Sequence, residues 1–172
     1  YPRWSHDGSK IAFLSPIAKQ HADKIFILNI KNKNLSIVTS PFTVHNRPTW
    51  SLDDQAILAS VTTDDYRDIH LFDIKTKTNQ RVTFNGGRYG MMISESELLY
   101  SKNSRGLWQT TLKSGLDKHS FKAMKVVDEK LSSAYAWTYR YKNNQPEIFF
   151  KESFSQYQQI SHYNFTSQLS NP

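Results

Sequence analysis

Tyr1-Pro2-Arg3-Trp4-Ser5-His6-Asp7-Gly8-Ser9-Lys10-Ile11-Ala12-Phe13 and Arg47-Pro48-Thr49-Trp50-Ser51-Leu52-Asp53-Asp54-Gln55-Ala56-Ile57-Leu58-Ala59 are two copies of one pattern. In each, a Pro and a Trp precede a Ser-x-Asp turn, and a short apolar run follows. A second apolar run then ends in a polar turn: Ile25-Phe26-Ile27-Leu28-Asn29-Ile30 in the first copy and Ile69-His70-Leu71-Phe72-Asp73-Ile74 in the second. Trp4 to Trp50 is a step of 46 residues, and Ile25 to Ile69 a step of 44. A period of roughly 40 to 50 residues built from short strands is the signature of a β-propeller.

Two more copies emerge when the alignment is fixed on the strands. Leu98-Leu99-Tyr100 follows Ile57 by 41 residues, and Ile148-Phe149-Phe150 follows Leu98 by 50. On this register Met91 takes the third tryptophan position, and Trp137 heads the fourth copy behind a longer first loop. Trp4, Trp50 and Trp137 are expected to pack between blades.

Within a copy, Ser-x-Asp-Gly or Ser-x-Asp-Asp makes a tight turn: Asp7 or Asp53 can bond the backbone two residues on, and Gly8 tolerates positive φ. Ile11-Ala12-Phe13 is apolar on both faces, as for a strand packed on two sides. Lys31 to Asn34 and Lys75 to Asn79 are polar turns leading to an outer strand. Four antiparallel strands per copy make one propeller blade, so the fold class is all-β, with approximate blades at 1–40, 41–84, 85–124 and 125–172. The chain opens inside a blade's first strand and closes after the third strand of the fourth copy, and an open blade edge templates aggregation. It is therefore expected to be part of a larger propeller.

Composition narrows the class further. Aromatic residues make up 13% of the 172 residues, ample for a sizeable core. No stretch approaches the ~20 apolar residues of a membrane helix, and the absence of Cys excludes disulfides and thiolate metal sites. The net charge of +7 raises the question of nucleic acid. However, Lys31, Lys33, Lys75 and Lys77 sit in separate polar turns, which reads as a solvated surface and not as a phosphate-binding stripe.

The chemistry of catalysis and metal binding is missing from the sequence. A nucleophile needs an adjacent base, and there is neither Cys nor a Gly-x-Ser-x-Gly elbow. His6, His21, His45, His70, His119 and His162 are scattered without ligand spacing. His70 alternates with Ile69 and Leu71 and reads as structural. Asp64-Asp65 reads as a solvated turn, and Asn85-Gly86-Gly87 lacks the strand-to-helix context of a phosphate loop. The expectation is no enzyme, no metal and no cofactor.

One pattern points to binding. In a propeller, the connection from an outer strand to the next inner strand lies at the mouth of the central channel. Three residues before the tryptophan positions stand Tyr1, Arg47, Arg88 and Ala134, with His45, Asn46 and Tyr89 flanking. A guanidinium is a planar bidentate fork suited to carboxylate or phosphate. Tyr1, His45, Arg47, Arg88 and Tyr89 are therefore the expected ligand site, for a small anion or an acidic segment of a protein partner.

The segment 2–13 resembles the Trp-Ser-Pro-Asp-Gly-Lys-x-Ile-Ala-Phe repeat of TolB-type propellers, with His6 in place of the Pro. Residues 48–54 are similar, with Leu52 for the Pro and Asp54 for the Gly, and Asp68 to Thr76 resembles the strand and turn that follow. Leu98-Leu99-Tyr100 through Gly106-Leu107-Trp108 to Leu112 resembles a blade of the periplasmic propellers of CadC-like, membrane-anchored winged-helix regulators, as do Trp137-Thr138-Tyr139 and Glu147-Ile148-Phe149-Phe150. This resemblance implies a periplasmic sensor or protein-binding domain anchored to the inner membrane of a bacterium. DNA and membrane contacts would lie in segments outside this chain, and a homodimer is a further implied partner. The alternatives implied by the same repeats are the gating propeller of a prolyl-oligopeptidase-type serine peptidase and a TolB-like envelope scaffold.

Overall fold

Among the described residues, successive antiparallel pairings assemble fifteen short strands into four separate sheets in chain order. The computed structural model describes residues 2–16, 23–38, 44, 47–102, 105–113, 115–131, 133–143, 145–153 and 158–164. Tyr1 and His45 of the expected ligand site lie outside the described residues. The first sheet holds β1 (Arg3–Trp4), β2 (Lys10–Pro16), β3 (Asp23–Asn29) and β4 (Leu35–Ile37). The second holds β5 (Thr49–Trp50), β6 (Ala56–Thr62), β7 (Arg67–Asp73) and β8 (Asn79–Arg81). The third holds β9 (Tyr89–Met92), β10 (Glu97–Ser101), β11 (Arg105–Thr111) and β12 (Ala123–Lys130), and so extends past the expected boundary at 124. The fourth pairs β13 (Trp137–Lys142), β14 (Gln145–Ser153) and β15 (Gln158–Asn164). Each sheet is a propeller blade.

The turn chemistry repeats atom for atom between the first two blades. Ser5 Oγ donates to Asp7 Oδ1 at 2.6 Å, and Ser51 Oγ donates to Asp53 Oδ1 at 2.6 Å. The backbone N–H of Lys10 then bonds Ser5 Oγ at 2.9 Å, as that of Ala56 bonds Ser51 Oγ at 2.8 Å. These bonds close the β1–β2 and β5–β6 hairpins and hold the Asp7 carboxyl at about 2, the hydroxyl of Ser5 being the main cause.

Three cores fill the three gaps between blades. Ala12, Ile25, Ile27 and Val38 of the first blade meet Trp50, Ile57, Ala59, Val61 and Phe72 of the second. Leu58, Ile69 and Val82 meet Met92, Leu98 and Tyr100. Leu99, Leu107 and Val127 meet Trp137, Ile148 and Phe150. Alternate residues of each central strand face opposite neighbours, which is why runs such as Ile57-Leu58-Ala59 are apolar throughout.

Pairing also corrects the register of the later copies. Trp4 pairs with Ile11, Trp50 with Ile57, Met92 with Leu98 and Tyr139 with Ile148. The third tryptophan position is therefore Met92 and not Met91, and the fourth is Tyr139, two residues after Trp137. Spacing along the chain slips wherever a hairpin turn changes length, while cross-strand pairing does not. A second correction concerns Trp4, which is 60% exposed, against 6% for Trp50 and 5% for Trp137. A tryptophan at this register packs on the inner strand of the blade before it: Trp50 Nε1 donates to Arg3 O at 3.0 Å. Among the described residues no sheet precedes β1.

Candidate functional site at the channel mouth

The innermost strands β1, β5, β9 and β13 stand around one cleft of about 380 Å³, lined by Trp4, Trp50, Met92 and Tyr139 among others. Hydrogen bonds between these strands fix its walls. Thr49 Oγ1 donates to Gly90 O at 2.6 Å, and the Tyr139 hydroxyl donates to Met92 O at 2.5 Å. Burial pushes the Tyr139 hydroxyl up to about 12, so it stays a donor.

Antiparallel pairing decides what gathers around Arg47, just before β5. β5 lies antiparallel beside the start of β6, Thr49 pairing with Leu58 and Trp50 with Ile57, so the chain before Thr49 runs toward the end of β6. The β6–β7 turn therefore folds back to the end where Arg47 precedes β5. Arg67, at the start of β7, is held there by donating from Nε to Thr62 Oγ1 at 2.7 Å. Arg88 reaches the same end from the third blade, where its N–H bonds Ser101 O at 2.9 Å. Tyr135 arrives on the β12–β13 connection, which Ser101 Oγ fixes by donating to Ala134 O at 2.6 Å.

The Arg47 guanidinium lies over the Tyr135 ring, 4.9 Å from its centroid. Burial, followed by the positive charge of Arg88, lowers the pKa of Arg67, while Tyr135 acts in the opposite direction. Of the expected residues, Arg47 thus neighbours Tyr135, and Arg88 and Tyr135 both act on Arg67; none of these four lines the 380 Å³ cleft. Tyr89 has a different place. It is 3% exposed and packs edge-on against Tyr135 at 5.3 Å and Trp137 at 5.5 Å, so it supports Tyr135 from within the core.

Asp68 organises the neighbouring turn. Its Oδ1 accepts from Thr83 Oγ1 at 2.8 Å and from the N–H groups of Gly86 and Gly87 at 3.0 and 3.3 Å. Its Oδ2 accepts from Arg81 Nη2 at 2.5 Å, and that guanidinium lies between the rings of Tyr66 and Phe84. The Asn85-Gly86-Gly87 turn is thus set by a buried carboxylate and leads directly into Arg88. The sequence reading missed Arg67, Asp68 and Tyr135; the signal available for Arg67 was its place beside a hairpin turn at the same end as Arg47.

Three of the described histidines have structural surroundings. His70 is buried, stacked between Tyr66 and Phe72, with Nδ1 3.1 Å from Asn79 Oδ1. His6 binds Asp54, and His162 stacks on Phe149 at 4.8 Å. Among the described residues no three His, Cys, Asp or Glu cluster as metal ligands. Asp64 and Asp65 are exposed in their turn.

No protein-family model and no curated protein matches the sequence. Solved structures do match the fold. TolB from Acinetobacter baumannii superposes with a TM-score of 0.58 at 12% identity, over 96% of this chain and 43% of TolB. An oligogalacturonate lyase in complex with manganese gives 0.65 at 15% identity, over 97% of this chain and 48% of the lyase. An acylaminoacyl peptidase of Pyrococcus horikoshii gives 0.57 at 14% identity, over 95% of this chain and 30% of the peptidase. The chain spans less than half the length of each of these three. Its fold is that of a TolB-like β-propeller, four consecutive blades with their inner strands around one channel.

Proposed function

We propose that this chain is a non-catalytic binding propeller, the periplasmic sensor domain of a membrane-bound bacterial transcriptional regulator, which takes an anionic ligand or an acidic protein segment at its channel mouth. The convergence of Arg47, Arg67 and Arg88 beside Tyr135 carries this reading. Three guanidinium groups brought from two blades offer fixed, partly desolvated donors to carboxylate or phosphate oxygens, and such charge-assisted bonds are the strong ones. Tyr135 adds an aromatic face that orders one of them. Binding at a mouth shared by three blades would bias the position or oligomeric state of the anchored half, with DNA and membrane contacts made outside this chain.

The regulator setting rests on the resemblance of the third and fourth blades. The likeness to an acylaminoacyl peptidase supports a second reading, a gating propeller for a hydrolase domain. The complete reading frame separates the two: a winged-helix segment and one apolar span favour the sensor, and a Gly-x-Ser-x-Gly domain favours the gate. The site itself is tested by calorimetric titration with a short polyglutamate peptide. The expected result is binding that the Arg47→Ala/Arg88→Ala double variant weakens at least tenfold, about 1.4 kcal/mol. The Lys75→Ala/Lys77→Ala variant removes the same charge from an exposed turn and is expected to bind as the parent does. Equal losses in the two variants would reduce the effect to overall charge and overturn the site.

A further inference from the structure

The second and third blades carry Arg47, Arg67 and Arg88 at one end of their strands and a different surface at the other. A groove of about 690 Å³ lies between these blades, where the β5–β6 and β9–β10 hairpins close. Its apolar side chains are Leu52, Ala56 and Leu71 from the second blade and Met92 from the third. Leu52 is 37% exposed, an aliphatic side chain on a turn where the first blade has His6. On the outer side, Gln80 ties the two blades together by donating from Nε2 to Lys113 O at 2.7 Å.

The rim of the groove is acidic. Asp53, Asp73 and Glu95 line it with Ser51 and Gln55, and among the described residues no Lys, Arg or His does. The Ser51 hydroxyl, then the N–H of Gln55, holds Asp53 below the usual carboxylate range, and the N–H and hydroxyl of Thr76 do the same for Asp73. Both are therefore ionised at neutral pH. The turn engages Asp53 through Oδ1, leaving Oδ2 for a donor from outside. Lys75 acts on Asp73 from the turn after β7, but as the smallest of the influences on that carboxylate. The net charge of +7 would repel a cation at long range. At physiological salt the Debye length is about 8 Å, so the three carboxylates on the rim govern what docks.

We propose that this groove is a second binding site, for a basic segment of a partner protein. The segment seats one aliphatic side chain on Leu52, Leu71 and Met92, between lysine or arginine side chains that reach Asp53, Asp73 and Glu95. Charge complementarity selects this occupant: an apolar floor edged by one sign of charge fits a partner of the other sign. Lysine stems can cover apolar surface while their ammonium heads stay at the wet rim. The groove shares no residue with Arg47, Arg67, Arg88 and Tyr135, so the two sites stand or fall separately.

The test is a fluorescence-anisotropy titration of the protein with a labelled Lys-Lys-Leu-Lys-Lys peptide, beside one in which serine replaces the leucine. The parent is expected to favour the leucine peptide about tenfold, through burial of one aliphatic side chain. Asp73→Asn/Glu95→Gln keeps an acceptor for the Asp73 turn and should weaken the leucine peptide about tenfold, the loss of two ion pairs. Leu52→Ser changes an exposed side chain outside the three cores and should reduce the preference for leucine. Asp64→Asn/Asp65→Asn removes the same charge from an exposed turn and should bind as the parent does. Arg47→Ala/Arg88→Ala should do so as well. Urea unfolding of each variant checks its fold. No binding by the parent, equal affinity for the two peptides, or equal losses in the groove and turn variants would overturn the proposal. Self-association in sedimentation velocity that Asp73→Asn/Glu95→Gln abolishes would assign the groove to a second copy of this chain and overturn it too.

Discussion

His6 Nδ1 lies 2.8 Å from Asp54 Oδ1, and the same carboxylate accepts the backbone N–H groups of His6 and Asp7, each at 2.9 Å. Asp54 stands where the first blade has Gly8, and both adopt left-handed backbone, with φ of 56° and 69°. An L-residue there costs about 1–2 kcal/mol relative to Gly. The side chain offsets that cost by clamping the turn of the neighbouring blade.

Asp54→Asn keeps the size and the tolerance for positive φ but removes the charge. Hydrogen bonds to a charged group contribute about 1.5–3 kcal/mol, of which the amide retains part. The expected loss is about 1–2 kcal/mol in urea unfolding, with faster amide exchange at His6 and Asp7. Unchanged stability would mean that the clamp is incidental.

The same carboxylate sets an acid limit. Burial alone would raise the Asp54 pKa, but the N–H groups of His6 and Asp7 and the His6 ring outweigh it, and the net shift is downward. A group with a depressed folded pKa contributes stability that is fully present above its unfolded pKa and lost as pH falls through the folded value. Unfolding measured from pH 6 downward should therefore show the parent approaching Asp54→Asn in stability below the ordinary carboxylate range. A constant gap between them down to pH 2 would contradict this.

The blade repeat is legible in the sequence because Ser-x-Asp turns and doubly apolar strands are local chemistry. Ile11, Ile57, Leu98 and Ile148 align correctly by pattern, since strands conserve their packing where turns do not conserve their length. Met91 and Trp137 were misplaced for that reason. Arg67 and Tyr135 escaped because their place at the mouth depends on a hairpin folding back and on the third blade's outer strand running to Lys130. The exposure of Trp4 was illegible because burial depends on a neighbour and not on the residue.

Gly87 tests how the mouth is built. A Cβ there would stand 2.6 Å from Thr83 Oγ1 and 3.1 Å from the Ile69 side chain, inside the network around Asp68. Gly87→Ala should cost about 1–3 kcal/mol as an overpacked site. It should also weaken polyglutamate binding by displacing Arg88. Loss of stability with intact binding would separate the turn from the site.

Lys33 and Lys77 occupy matching β3–β4 and β7–β8 turns with φ of 58° and 60°. Both side chains are exposed. Glycine adopts this conformation without the Cβ clash, at some cost in unfolded-chain entropy. Lys77→Gly should raise thermal stability by about 0.5–1 kcal/mol, and a decrease would show that the lysine makes a compensating contact.

Arg67 separates function from structure by the sign of two effects. Burial and the Arg88 charge both disfavour its ionised form, so its positive charge is held at this place against local electrostatics. Unfavourable charge crowding that a fold retains is the expected signature of a binding site, where stability is given up for recognition. Arg67→Met removes the charge and keeps most of the apolar stem, while Thr62 Oγ1 loses a donor but remains near solvent. The variant should unfold at the same or slightly higher urea concentration than the parent. Its affinity for polyglutamate should nevertheless fall about tenfold, the loss of one charge-assisted contact, and the salt dependence of binding should become shallower. If stability and affinity fall together, Arg67 is a structural residue whose place at the mouth carries no recognition.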